Sequence, residues 1–306
     1  MKKYFLLRIG SALVTVWLMS ILVFVSVRLI GDPTHLLLPP EATAQDRQVL
    51  REQMGLTKPL PLQYLIYVGN LLQGDVGKSF ITGQPAMVVL GPRIMPSMLL
   101  AGSALFLSLL FGVPGGIAAA QNPRGKAARF GDLLATLGLA APAFFIALLL
   151  IRWLSVDLRW LPTNGYGSFA HLIIPALSLS LYSTAALYKL TQSTMGEILQ
   201  SDFIRFARIK GISPRSVIFK HALKNASLPI LTFSASQFGL LIAGAVSVEV
   251  IFGWPGIGGA MVDAISQFDY TVIQAVALVV VLLFVIINLI VDVLYGWLDP
   301  RIRLAN

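Results

Sequence analysis

The sequence predicts an all-α polytopic membrane protein with six transmembrane helices, and three observations carry that prediction. Of its 306 residues, 56% are hydrophobic and only 12% are charged, a composition too apolar for a water-soluble domain of this length. Six stretches contain no charged residue and are each long enough to cross, or nearly cross, a hydrocarbon layer about 30 Å thick. They run Ile9–Val27, Ser97–Ala120, Leu133–Ile151, Leu172–Tyr188, Leu228–Val248 and Tyr270–Val291. Finally, lysine and arginine crowd into alternate connections between these stretches, the asymmetry that sets orientation in a membrane.

The first span follows Lys2, Lys3 and Arg8, which gives the N-terminus the look of a signal peptide. Its apolar run is too long for one, and no small-x-small cleavage pattern precedes Arg28, so an uncleaved helix is expected. Residues 1–30 form the N-terminus and this helix, 31–96 an outer segment, and 97–306 a five-helix core with a basic loop at 191–227. The outer segment has one helical candidate, Ala44–Met54, and many Pro and Gly turns. With so few apolar clusters it would not fold alone, and it reads as a lid or docking surface. Pro114, Pro142, Pro175 and Pro229 fall inside spans, where neighbouring helices can satisfy the freed carbonyls.

In the loop 191–227, Thr191–Lys210 is compatible with a helix continuing off the fourth span, and Gly211 supplies a left-handed cap. Ser213 is placed to N-cap a second, short helix whose first position is Pro214, where a missing N–H costs nothing. Arg215, Lys220, His221 and Lys224 follow on that helix. Beyond the fifth span, Phe252-Gly-Trp-Pro-Gly-Ile-Gly-Gly259 is dense in helix-ending residues. It predicts a short re-entrant or interfacial turn with Trp254 at headgroup level.

Placing the N-terminus in the cytoplasm puts Lys2, Lys3, Arg8, the Arg124–Arg129 cluster, the loop 191–227, Arg301 and Arg303 on one side, so both termini are expected there. The net charge of +9 is then topological and does not point to nucleic acid. The chain has no cysteine, and its histidines at 35, 171 and 221 lie on different faces, so neither a disulfide nor a protein-built metal site is expected. Gly77-Lys-Ser79 resembles the end of a phosphate-binding loop, but Leu72 stands where the pattern needs glycine. Met261 likewise replaces the third glycine of a dinucleotide fingerprint. Two acidic residues stand at span ends, where an unpaired carboxylate is costly. Glu249 calls for an ion pair with Arg28, Arg93 or a partner chain, or for a place on a translocation path or gate, with proton coupling a further option. Asp292, one turn after Asn288, suits structural hydrogen bonding.

The segment Phe203-Ile-Arg-Phe-Ala-Arg-Ile-Lys-Gly211, continuing through His221-Ala-Leu-Lys-Asn-Ala-Ser-Leu-Pro229, resembles the cytoplasmic signature loop of permeases in the dipeptide, oligopeptide and nickel branch of bacterial ATP-binding-cassette importers. Gly31-Asp-Pro33, Leu38-Pro-Pro40, Gly74-Asp-Val-Gly-Lys-Ser-Phe80, Trp160-Leu-Pro162, Gly165-Tyr-Gly167, Val248-Glu249, Pro255-Gly256, Asp292-Val-Leu-Tyr295 and Leu298-Asp-Pro-Arg-Ile-Arg303 match the same branch in order. The long segment after the first span is similar to the first of the two paired permeases. The resemblance implies a type I importer permease fold in the inner membrane and a heterodimer with a second permease. It also implies a periplasmic or lipoprotein solute-binding protein, and two ATPase subunits that hold ATP and magnesium. This chain itself would be no enzyme and would carry no cofactor or metal. Peptides are the implied cargo; nickel chelate, glutathione and oligosaccharides travel on the same scaffold.

In the wider importer class the signature begins Glu-Ala-Ala and ends Ile-x-Leu-Pro. Here Arg205-Phe206-Ala207 stands at the start, Gly211 is retained and the ending is rewritten, while Gln192 and Gly196 depart from the branch pattern. Arg205, Ala207, Gly211, Ser213 and Pro214 are therefore the expected ATPase-coupling residues. A secondary carrier would show inverted repeats or several intramembrane ionisable groups, and a membrane enzyme a polar catalytic cluster; the sequence displays none of these.

Overall fold

Length sets the architecture. Five apolar helices exceed the thickness of a hydrocarbon core in the computed structural model, which describes the backbone of residues 2–29, 34, 38 and 41–298. The side chains of 2–7, 53 and 291–298 fall outside that description, as do Gly31-Asp-Pro33, His35, Pro39-Pro40 and Asp299–Arg303. The side chain of Asp292, expected to form structural hydrogen bonds, is therefore among those not described. The long helices are α1 (Lys2–Leu29), α4 (Ala86–Gln121), α7 (Phe169–Gln200), α9 (Pro214–Phe252) and α11 (Tyr270–Leu298). At 1.5 Å per residue, the 39 residues of α9 span on the order of 60 Å, so its ends project well beyond the apolar layer.

The third expected span is broken. Helix α5 (Lys126–Ala140) and helix α6 (Ala143–Asp157, ending in a π-helical turn) meet at 109°, and six crossings result when the bent pair counts as one. Pro142 explains the break, because its ring excludes the helical region for the residue before it; Ala141 is extended, with φ −83° and ψ 124°. Pro92, Pro96 and Pro114 in α4, Pro175 in α7 and Pro229 in α9 remain inside helices. The second span also begins earlier than its charge-free stretch, at Ala86, so residue 96 lies within a helix and marks no structural boundary.

Small residues set the closest packing, between α4 and α7. A Cβ at Gly112 would sit 2.7 Å from the Thr184 carbonyl oxygen, and one at Gly116 2.6 Å from that of Tyr188. Only glycine lets the backbones approach this far, the usual device where lipid removes any hydrophobic drive between helices. Leu100, Ala101 and Ala104 of α4, Ile174 and Leu179 of α7, and Leu241, Ala245 and Val248 of α9 complete this central core.

The outer segment is more helical than its sequence announces. Helix α2 (Ala44–Gln53) has a reciprocal capping box, in which the Asp46 amide donates to Thr43 Oγ1 at 3.2 Å and the Thr43 amide to Asp46 Oδ2 at 2.9 Å. Helix α3 (Leu60–Leu72) packs on the end of α1 through the Ser20 and Tyr64 hydroxyls, 2.9 Å apart, and an edge contact between the Phe24 and Tyr64 rings. Past α3 the chain makes a tight turn in which the Ser79 amide donates to the Gln84 carbonyl, then enters α4.

Candidate functional site

The two ends of α9 carry the residues that the sequence singles out. At its start, α7 stops at Ser201, whose backbone is extended (φ −67°, ψ 153°), and α8 (Asp202–Ile209) sets off in a new direction. The single helix expected over Thr191–Lys210 is thus two. The Ser201 hydroxyl donates back to the Ile198 carbonyl, and a side chain that bonds its own backbone competes with helix continuation.

Helix α8 is apolar on two faces for different reasons. Ile204 and Ala207 are buried against Ile117, Leu187, Met195, Val217 and Ala222, which fastens the helix to the bundle. Phe203, Phe206 and Ile209 point away from it, with Phe206 64% and Ile209 79% exposed, and Arg205 and Arg208 stand among them in solvent. Arg205 pairs with exposed Asp202, at 3.4 Å. After α8, the Ile212 amide donates to the Ala207 carbonyl and Gly211 has φ +78°, a left-handed conformation that glycine adopts without a Cβ penalty. Ser213 then caps Pro214–Ser216 through a 3.4 Å contact from the Ser216 amide. The second helix is not short: it passes through a π-helical turn, Val217–Ala222, directly into the fifth span. Gly211, Ser213 and Pro214 are all exposed.

At the far end of α9, Glu249 is 1% exposed. Neither arginine named as its ion-pair partner fills that role: Arg93 pairs with Asp263 at 3.2 Å, and Arg28 donates from Nε to Gln63. The carboxylate instead accepts from the Ser97 hydroxyl of α4 and, at 3.0 Å, from the Gly259 amide in the first turn of α10 (Ile257–Ser266). Ser97 in turn accepts from the Ile257 amide at 2.8 Å. A carboxylate at a helix N-terminus meets unpaired N–H groups and the positive end of the helix dipole. The glycines that crowd the sequence here make room for it, since a Cβ at Gly256 would fall 2.2 Å from the Glu249 carboxyl carbon.

Trp254, expected at headgroup level, is buried inside the protein and exposes almost none of its ring. It is 3% exposed, donates from Nε1 to the Pro96 carbonyl at 3.0 Å, and meets the Tyr166 ring edge-on at 4.7 Å. The Gly165 amide donates to the Phe252 carbonyl at 2.8 Å. Asp269 caps α11, accepting from the Val272 amide and from the hydroxyl of Ser79, and so ties down the turn before α4. Glu249, Ser97, Trp254 and Asp269 together bind α4, α9, α10 and α11 into one block. Sequence reading missed Ser97, Asp269 and the exposed faces of Phe203, Phe206 and Ile209; only the last had a signal, two apolar faces on one short amphipathic helix.

Comparison with known proteins agrees with this architecture. The family described as binding-protein-dependent transport system inner membrane component matches residues 112–304, and the N-terminal region of such membrane components matches residues 1–95. The chain is 40% identical over 304 residues to the glutathione transport system permease protein GsiC of Salmonella typhimurium, covering 99% of both chains. It is 39% identical to the protein of the same name from Escherichia coli K12, again over 99% of each. Among solved structures, an inward-facing form of the MetNI methionine ABC transporter superposes with a TM-score of 0.61 at 15% identity, over 70% of this chain and 97% of that one, a likeness of fold.

Proposed function

The chain belongs to the family of binding-protein-dependent transport system inner membrane components, and from that premise we propose that it imports small peptides, glutathione among them, across a bacterial inner membrane. It is the permease subunit of an ATP-binding-cassette importer. A second permease completes the path, a solute-binding protein delivers the cargo, and two ATPase subunits hold ATP and magnesium.

The observation that carries the coupling part of this reading is α8. A helix pinned by Ile204 and Ala207 that exposes Phe203, Phe206 and Ile209 beside two arginines is a docking element, since apolar anchors with arginine are what binding hot spots use. The basic bias of the loop supports a cytoplasmic place for α8 and for both termini. Force applied to α8 by an ATPase reaches Pro214 through the rigid turn at Gly211 and Ser213, and α9 carries it across the membrane. At the other end, Glu249 links α9 to α4 and α10, so that these helices open or close the outer gate together. Glu249 thereby works as a gate hinge, held by protein donors in the conformation observed.

Glutathione and alanyl-alanine share a carboxylate, an amine and peptide bonds, so competition separates them. In cells whose sole importer is this permease with its partner subunits, labelled glutathione uptake should be saturable and displaced by unlabelled peptide. Uptake of neither compound would overturn the cargo assignment and leave the family membership intact.

A further inference from the structure

The break between α5 and α6 borders a groove of about 320 Å³ whose other walls are α7 and α9. Pro142, Tyr182 and Gln237, one from each wall, stand at least six residues inside the charge-free stretches that contain them, on the order of 10 Å from the nearer end. The groove therefore lies well within the apolar layer. Ala140 and Pro142 are exposed on the surface of the chain there. The Ala143 and Phe144 amides, which open α6, find no acceptor among the described residues, and the Leu139 and Ala140 carbonyls, which close α5, find no donor. Non-helical backbone survives at this depth only where protein covers it or water reaches it.

Gln237 reaches this groove from α9. The residue is 4% exposed, and its Oε1 accepts from the Ser183 hydroxyl at 3.4 Å, yet its Nε2 makes no hydrogen bond. Unlike Gln274 Nε2, which is fully enclosed, the Gln237 nitrogen keeps accessible surface on the groove it lines. Its neighbours at this depth are already satisfied: Ser178, Ser180, Thr184 and Ser234 each donate to a carbonyl of their own helix. An amide in mid-span is costly unless it meets a polar partner. Tyr182 adds a phenol to the same groove, 48% exposed, far from the headgroup level where tyrosine usually sits. Two turns beyond Gln237, a Cβ at Gly244 would meet nothing within 4 Å, so the groove stays open there. An acyl chain offers such groups neither donor nor acceptor; water and a polar solute offer both.

We propose that this groove is a water-filled stretch of the solute path, in which the Gln237 amide and the Tyr182 hydroxyl hydrogen-bond the backbone of a peptide in transit. The freed ends of α5 and α6 face the same water, a broken helix at mid-depth being a common way to present backbone donors and acceptors to a cargo. The inference rests on the import reading above and adds to it the residues that touch the cargo. Neutral groups suit that task, since each binds a peptide by a single modest hydrogen bond and releases it readily. The groove shares no residue with the clasp around Glu249 or with α8.

Two measurements on the assembled transporter, with its partner subunits, test this. The chain contains no cysteine, so one introduced thiol reports alone. In nanodiscs, Gly244→Cys should react with a cationic, water-soluble methanethiosulfonate, read as the mass of this chain, and at a different rate in the nucleotide-free complex and in one trapped with ATP and vanadate. Leu110→Cys, exposed on α4 outside the groove, should stay unlabelled. In cells, Gln237→Leu and Tyr182→Phe should each lower uptake of labelled alanyl-alanine or glutathione per assembled complex about fivefold, the loss expected for one neutral hydrogen bond, and Gln237→Asn should recover part of it. If Gln237→Leu fails to assemble, Tyr182→Phe and the labelling decide. A Gly244→Cys thiol that is unreactive in both states means that lipid or the second permease fills the groove, and overturns the proposal. So does wild-type uptake by Gln237→Leu and Tyr182→Phe alike. Wild-type import of neither solute strikes the cargo reading instead, because the labelling requires no solute.

Discussion

The two ends of α9 solve opposite problems with the same helix. At the α10 end, polar groups are buried and answered within the chain: Glu249 by Ser97 and Gly259, Trp254 by Pro96, Asp269 by Ser79 and Val272. At the α8 end, apolar groups are exposed and unanswered, with Phe203, Phe206, Ile209 and Phe219 all in solvent. A buried carboxylate is tolerable only when its acceptors are filled, whereas an exposed phenylalanine on a capped, anchored helix is stable but unfinished. The first end is satisfied within the chain; the second, on the coupling role proposed above, awaits a partner. Variants at the first should therefore damage the permease itself, and variants at the second should damage only its assembly with the ATPase.

The largest effect is expected at Glu249. Glu249→Ala leaves the Ser97 hydroxyl and the Gly259 amide without their acceptor, and each orphaned buried group costs about 1–3 kcal/mol. Yield of the permease in membranes should fall severalfold, and the detergent-solubilised chain should melt at lower temperature. Glu249→Gln keeps the shape and one acceptor oxygen and should recover part of both. Unchanged yield and melting temperature in Glu249→Ala would show that the two ends are not distinguished in the way argued.

Phe206→Asp comes next and should do the reverse. The side chain is 64% exposed, so insertion, yield and melting should match wild type. Loss of an aromatic anchor at an interface typically costs 2 kcal/mol or more, which corresponds to roughly thirtyfold weaker docking. Titration of the purified ATPase against permease in nanodiscs measures it. Docking at wild-type strength would remove the exposed face of α8 from the interface.

Gly211→Val sharpens the same comparison at smaller scale. With φ +78° and nothing within 4 Å of its position, the cost is backbone strain alone, about 1–2 kcal/mol for a β-branched residue. The turn should relax and misdirect Pro214, so that docking weakens modestly while uptake per assembled complex falls further. Equal losses in docking and uptake would mean that the turn only seats the ATPase and transmits nothing.

How much of this the sequence disclosed follows from the range of the physics involved. Gly211, Ser213 and Pro214 were readable because caps and left-handed turns are set by residues a few positions apart, and so was α2, whose capping box needs only Thr43 and Asp46. The spans were readable from charge-free length. The bend at Pro142 was not, since Pro92, Pro96, Pro114, Pro175 and Pro229 all stay inside helices where their neighbours allow it; the difference at Ala141 lies in packing. Glu249 announced itself as costly, but its answer comes from Ser97, remote in sequence and of a residue type that signals nothing. The burial of Trp254 went unread for a related reason. Trp at a span end usually marks the headgroup level, and only the Pro96 carbonyl and the Tyr166 ring, brought in from elsewhere in the chain, make burial favourable here.

The smallest expected effect lies in the outer segment, where α2 belongs to neither end of α9 and serves as a control on both. Asp46 is exposed, and its carboxylate accepts from the Thr43 hydroxyl and amide, which holds its pKa below the ordinary aspartate value. A group whose folded pKa is depressed contributes stability above its unfolded pKa and loses it as pH falls through the folded one. Helix α2 should therefore keep its cap at neutral pH and begin to fray below the ordinary aspartate range, near pH 4. Protection factors for the α2 amides, corrected for intrinsic exchange, should be flat from neutral pH to about 5 and fall beneath it. Asp46→Asn should flatten that acid limb while changing little at neutral pH, since asparagine still offers an acceptor to the Thr43 amide. Because α2 supplies no part of the Glu249 clasp or of α8, ATPase docking and permease yield should be the same in Asp46→Asn as in wild type; a change in either would mean that the outer segment is coupled to the helices that move.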